Sequence, residues 1–105
     1  HLFHAPERPS ALFVGSDAMA LGVLEAAQAS GWAIPDDLAL VSFDNISFAR
    51  VAAVPLTTVD GRTPELGRIA VQLLVDRIEG AGNGPVQQIV LPPALIVRRS
   101  CGAAG

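Results

Sequence analysis

The chain has 105 residues, half of them apolar and 16% charged, with a net charge of −3 and a mean hydropathy of +0.44. That length allows one domain or part of one, and the apolar share points to extensive burial or a surface kept for a partner. All seven basic residues are arginines, scattered except for Arg98-Arg99, and without a basic patch or recognition helix the chain is not expected to bind nucleic acid by itself.

His1 to Pro9, with two prolines and charges, reads as a loop or a frayed helix end. Residues 11–15 are a short apolar strand. Asp17 is placed to N-cap a helix from Ala18 to about Ser30. Leu21, Leu24 and Ala27 follow helical spacing there, and Met19, Val23 and Ala26 widen the stripe. Gly31 is the expected left-handed stop, and Trp32 to Asp37, punctuated by Pro35, is a turn. Leu38 to Phe43 is a second strand, apolar at nearly every position, as when helices cover both faces. Residues 46–54 hold a short helical turn, and Leu56 to Val59 is a third strand. Thr63-Pro64-Glu65 supplies an N-cap, a first-turn proline and an early acid for a helix to about Glu79. Its expected inner face is Leu66, Ile69, Ala70, Leu73, Leu74, Arg77 and Ile78. Gly80 to Gly84 is a loop. Segments 86–91 and 94–98 are extended and broken by Pro92-Pro93, which suits a sheet edge.

The alternation of strands and helices predicts an α/β fold, a three-layer parallel sheet with flanking helices. A complete doubly wound unit needs more strands, and the helix that should cover the other side of residues 11–14 is missing. The expectation is therefore the C-terminal part of a longer chain.

Two buried strands stop at small or acidic polar residues: Gly15-Ser16-Asp17 after the first, Asp44-Asn45 after the second. Open α/β sheets bind ligands at the carboxyl edge, where these side chains lie. Asp44 can accept two hydrogen bonds from vicinal hydroxyls or a ring N–H; the plainer reading makes it a cap for the next turn. Asn45 joins it or forms an Asx-turn. Ser16 points toward the cleft if strand alternation holds, and Asp17 is read as a helix cap. Phe43 is core, or an aromatic face for a sugar to stack on. Arg50 pairs with Asp44 or with a ligand anion, or is simply solvated. Met19, Leu21 and Leu24 are core or a dimer surface, with Phe48 and Val51 extending the apolar patch.

An enzyme is not expected. The glycines at 80, 82 and 84 follow a helix and open none, so they do not make a dinucleotide fingerprint. The two histidines lie near the start, with no Ser/His/Asp set, metal cluster or cofactor motif. The single cysteine, Cys101, excludes a disulfide framework and suits a reducing, cytoplasmic compartment. The apolar runs fall well short of the ~20 residues that span a bilayer, so no membrane association is expected.

Five blocks of the chain, in order and with matching spacing, resemble the LacI/GalR family of bacterial transcriptional regulators. They are Pro9-Ser-Ala-Leu-Phe-Val-Gly-Ser-Asp-Ala-Met-Ala-Leu-Gly22, Gly31-Trp-Ala-Ile-Pro-Asp-Asp-Leu-Ala-Leu-Val-Ser-Phe-Asp-Asn45, Pro55-Leu-Thr-Thr-Val59, Glu65-Leu-Gly-Arg-Ile-Ala-Val-Gln-Leu-Leu74 and Leu91-Pro-Pro-Ala-Leu-Ile-Val-Arg-Arg-Ser100. The resemblance implies a type I periplasmic-binding-protein-like fold. Residues 1–105 would form most of the C-terminal subdomain of an effector-binding domain, and the DNA-binding domain is absent from this chain. It further implies a small effector, most often a sugar, a homodimer, and operator DNA reached only through the missing N-terminal domain. A ligand-contacting aspartate falls at Asp44, and the helix from Ala18 meets its mate. Ser16 stands where the family often has Asn, and Ser42 where it usually has Gly. The alternative is a periplasmic sugar-binding protein of a transport system, which shares the fold; Pro55 to Val59 and the ending from Leu91 are repressor-like.

Overall fold

In the computed structural model, which describes residues 2–80 and 84–103, a 3-10 turn at Leu2–His4 opens the chain. There follow β1 (Ala11–Phe13), α1 (Asp17–Ala29), β2 (Ala39–Phe43), α2 (Ser47–Val51), β3 (Thr57–Asp60), α3 (Thr63–Ile78) and β4 (Ala94–Ile96). The strands form one sheet in the order β1-β2-β3-β4. β1–β2 and β2–β3 are parallel, and β3–β4 is antiparallel. This is the expected α/β class, a mostly parallel sheet with flanking helices. β4 departs from the all-parallel expectation because the chain returns from α3 along the free edge of β3.

The elements start and stop within about two residues of where the sequence puts them, but their caps differ. The N-cap of α1 is Ser16, extended at φ −153° and ψ 153°, with its Oγ accepting from the Met19 N–H at 3.2 Å. Asp17 is instead the first residue of the helix and fully buried. Gly31 stops the helix at φ 76°, as expected. Arg62, left-handed at φ 58°, caps α3 in place of Thr63, which lies within the helix. No strand forms over residues 86–91; without a neighbouring strand, β-propensity alone does not hold an extended segment. The loop expected at Gly80 to Gly84 falls largely on residues 81–83, outside the described residues, as does His1.

Register divides the sheet into two faces. Leu12, Leu40, Ser42, Thr58 and Ile96 share one, Phe13, Val41, Phe43, Val59 and Leu95 the other. The first face carries the core: Leu40 packs with Ala20, Ala49 and Leu56, and a second cluster joins Leu38, Ala27 and Phe3. Each buried leucine contributes about 1.5–3 kcal/mol. Phe3 meets Trp32 edge-on at 4.9 Å, and the Arg8 guanidinium lies 4.8 Å from the same ring. The second face is open, with Phe13 62% exposed. The apolar run of β2 led to the expectation that both faces were covered. Around Phe13 the second face is uncovered, and it is closed only at Thr57, which lies 1% exposed beneath the C-terminal segment.

The same holds for α3. Its apolar stripe is present, but no residue of the helix is buried and Ile78 is 74% exposed. Of the expected inner face, Leu73, Leu74 and Arg77 meet only the returning segment at residues 84–87, and no strand or other helix packs on the stripe. α3 runs out from the sheet, which gives the chain a radius of gyration of 18.5 Å, against about 13 Å for a compact domain of this length. The Arg77 guanidinium donates to the Gly84 carbonyl at 3.3 Å and links the outgoing helix to the returning segment.

Ser100 fastens the C-terminal segment beneath the sheet. Its buried Oγ donates to the Leu40 carbonyl at 2.6 Å and accepts from the Thr57 N–H at 2.8 Å. Ser100→Ala strands both backbone groups and is expected to cost about 2 kcal/mol, read as a lower urea midpoint with an unchanged slope. A loss below about 0.5 kcal/mol would mean that the segment is held by packing instead.

Candidate functional site

The carboxyl ends of β1, β2 and β3 converge on one edge of the sheet, and each releases an acidic residue there: Asp17, Asp44 and Asp60. The three carboxylates do different work.

Asp17 is the hidden anchor. Its Oδ1 accepts from the Ser42 hydroxyl at 2.5 Å and the Thr58 hydroxyl at 2.6 Å, and its Oδ2 accepts from the Ile46 N–H at 2.9 Å. A fully buried carboxylate is stable only when donors replace its water, and three do. The network joins the start of α1 to β2, β3 and the turn before α2. Ser42, which stands where the resembled family usually has Gly, supplies one of the donors.

Asp44 and Asn45 form the turn at the end of β2. Both are left-handed, at φ 122° and φ 59°. Two consecutive non-glycine residues in that region cost about 1–3 kcal/mol each and persist only where surroundings fix them. Here the Asp44 N–H donates to the Val59 carbonyl at 2.9 Å and the Asn45 N–H to Thr58 Oγ1 at 3.2 Å. Thr58 is thus a relay, accepting from the turn and donating to Asp17. The Asn45 side chain is held at both ends: Nδ2 donates to Asp60 Oδ2 at 3.2 Å, and Oδ1 accepts from Arg98 Nη2 at 2.9 Å. The other oxygen of Asp60 accepts from the Arg62 N–H at 2.8 Å.

The Asp44 carboxylate, half-buried, accepts no hydrogen bond from the described residues. Arg50 does not reach it; the ion pairs among the described residues are Arg62–Glu65 and Arg68–Glu65. Beside Asp44, Phe43 is 37% exposed, and its ring lies over Gly61, where an added Cβ would come within 3.3 Å of it. Ser16 is half-buried at the same edge and, while capping α1, keeps its hydroxyl proton free to donate. The structure therefore brings Ser16, Phe43, Asp44 and Asn45 to one edge. Sequence reasoning missed Thr58, Asp60 and Arg98, and took Asp17 for a cap. Of the three carboxylates, those of Asp17 and Asp60 are filled by protein donors, which leaves Asp44 as the one at this edge that accepts no hydrogen bond from the described residues.

The expected dimer residues divide by exposure. Met19, Phe48 and Val51 are exposed, Phe48 at 67%. Leu21 and Leu24 are half-buried against the core of Leu40 and Leu56, and with Trp32, Ile34 and Val54 they line an apolar groove beside α1. Among the described residues no group of His, Cys, Asp or Glu is arranged to hold a metal ion, and no helix is long and apolar enough to cross a membrane. The Cys101 thiol is pulled below its ordinary pKa, chiefly by the Thr57 hydroxyl and then by the Ala103 backbone.

Residues 1–101 match the family of periplasmic binding protein-like domains. The chain belongs to that family. Within it, the similarity runs to LacI-type regulators. This periplasmic-binding-protein-like domain is 49% identical over 94 residues to the HTH-type transcriptional repressor MelR of Bacillus subtilis, covering 90% of this chain and 27% of MelR. Its fold superposes on a LacI transcriptional regulator from Bacillus cereus subsp. cytotoxis with a TM-score of 0.90 and 34% identity, over 99% of this chain and 36% of that one. The transcriptional regulator CelR, in complex with cellobiose, is 42% identical with a TM-score of 0.81, over 87% of this chain and 28% of CelR. The domain thus spans about a third or less of these relatives. They are transcriptional regulators.

Proposed function

We propose that this domain is the C-terminal half of the effector-binding cleft of a LacI-type repressor, and that its effector is a sugar or a similar polyol. The observation that carries the reading is the Asp44 carboxylate. It is half-buried at the carboxyl edge of a parallel sheet, on a turn held in a costly conformation, and has no protein donor among the described residues. Vicinal hydroxyls would supply the missing donors, Asn45 and Ser16 would add further hydrogen bonds, and Phe43 offers an apolar face to a pyranose ring. The complex of CelR with cellobiose supports the chemistry.

An effector held between this edge and a second subdomain favours the closed arrangement by its differential affinity, and closure reorients DNA-binding heads elsewhere in the cytoplasmic dimer. A transport role is not favoured, since the relatives are repressors. The test is a thermal-shift screen of the full-length protein against cellobiose, sucrose, glucose and adenine, followed by calorimetry. A specific sugar should raise Tm by mass action. Stabilisation by adenine alone would replace the sugar with a nucleobase, and no response to any of the four would remove the reading.

The proposed homodimer surface comprises Met19, Phe48 and Val51 with the rims of Leu21 and Leu24. Phe48→Glu puts a charge on an exposed site and is expected to lower the sedimentation mass of the full-length protein toward a monomer while circular dichroism stays the same. An unchanged mass would move the interface elsewhere.

A further inference from the structure

We infer that Arg98 is a positioning residue for the effector: its guanidinium holds the Asp44–Asn45 turn in its ligand-ready form without touching the ligand. This rests on the effector-binding reading of that edge. Arg98 is half-buried and has no carboxylate within ion-pair distance among the described residues. Both arms of its fork go to neutral oxygens. Nη1 donates to the Leu56 carbonyl at 2.9 Å and Nη2 to Asn45 Oδ1 at 2.9 Å, while its own N–H is fixed on Thr57 Oγ1, also at 2.9 Å. The side chain is thus anchored at both ends and reaches across from the C-terminal segment to grip one residue of the strained turn.

The grip also sets the orientation of Asn45. With a guanidinium on one side and the Asp60 carboxylate on the other, only one placement of the amide satisfies both neighbours, oxygen toward Arg98 and nitrogen toward Asp60. Asn45 at φ 59° follows Asp44 at φ 122° directly. Without Arg98 the Asn45 side chain keeps Asp60 alone, and the turn, still tied by the Asp44 and Asn45 N–H groups, leaves the left-handed region more readily and carries Asp44 away from the cleft. A planar two-pronged donor is required. A lysine ammonium is a single point that reaches one acceptor well and the other poorly.

The experiment uses the full-length protein with Arg98→Met, which keeps an apolar stem, and Arg98→Lys, which keeps charge and one contact; Asp44→Ala serves as the control for the cleft itself. Amide hydrogen exchange is followed at Asn45 and Ile46 without ligand, and cellobiose, sucrose and glucose are titrated by calorimetry. Arg98→Met is expected to speed exchange at both amides about tenfold and to weaken the sugar whose binding needs Asp44 about tenfold, with Arg98→Lys in between and Tm within a few degrees of the parent. Unchanged exchange overturns the inference. Faster exchange with unchanged sugar affinity also overturns it, because Arg98 would then be a structural tie only. A sugar that binds Asp44→Ala as well as the parent, or no sugar binding at all, defeats the cleft reading and the positioning role with it, and the exchange result shows separately whether Arg98 holds the turn.

Discussion

Asp17→Ala is expected to lower the unfolding free energy by about 3–5 kcal/mol, the largest effect of any single substitution at this edge. The change leaves two buried hydroxyls and one backbone N–H without their acceptor at once, because Ser42, Thr58 and Ile46 all donate to the one carboxylate. The damage spreads from there, since Thr58 also accepts from the Asn45 N–H and so orders the Asp44–Asn45 turn. Asp17→Asn keeps an oxygen for the hydroxyls but sets an NH2 against the Ile46 N–H, so it should fall between the parent and Asp17→Ala. Urea unfolding of the full-length protein measures both. A loss below about 1 kcal/mol for Asp17→Ala would reduce Asp17 to an ordinary first-turn acid, stabilising through the helix dipole alone.

Asp17 also shows where sequence reasoning stopped. An aspartate just before an apolar helical stripe reads as a cap, and nothing in the local pattern says that its carboxylate points back under the sheet. Its partners Ser42 and Thr58 lie 25 and 41 residues away and meet it only once β1, β2 and β3 are aligned in parallel. Arg98 is further still, 53 residues from Asn45. Such contacts are set by register, which the periodicity of any one strand does not reveal. Thr57 and Thr58 read as ordinary β-branched strand residues, yet their hydroxyls organise the edge.

What was legible followed from local physics. The short apolar runs gave the three parallel strands, the 3.6-residue period gave α1 and α3, and Gly31 gave the stop of α1. Reading the strand ends placed Ser16, Phe43, Asp44 and Asn45 at one edge, because the rule depends on strand direction rather than on exact pairing. The amphipathic stripe of α3 was legible too, but not its cover, since Leu66 and Ile78 stay exposed and Leu74 meets only the segment at residues 84–87. Residues 86–91, read as an extended segment before Pro92-Pro93, form no strand. A strand needs a neighbour to pair with, and composition does not supply one.

Asp44→Gly is expected to weaken sugar binding by about ten- to a hundredfold while leaving the unliganded protein as stable or more so. The two halves of that result have separate causes. Binding falls because the substitution removes charge-assisted hydrogen bonds worth roughly 1.5–3 kcal/mol. Stability holds because the Asp44 carboxylate accepts no hydrogen bond from the described residues, so little is lost in the fold. It can rise, by about 0.5–1 kcal/mol, because glycine adopts φ 122° without the steric cost aspartate bears there. Asp44→Ala separates the terms: it should lose the same affinity while keeping the backbone penalty, so its stability should sit below that of Asp44→Gly. The contrast between the variants isolates the turn's strain from its chemistry, and calorimetry with cellobiose, sucrose and glucose beside urea unfolding of the same preparations measures both. Were both variants to bind the responding sugar like the parent, the cleft would be anchored elsewhere. Were Asp44→Gly to unfold at markedly lower urea than the parent, the carboxylate would be a cap for the turn before α2, and the left-handed geometry at residue 44 would serve the fold rather than the effector.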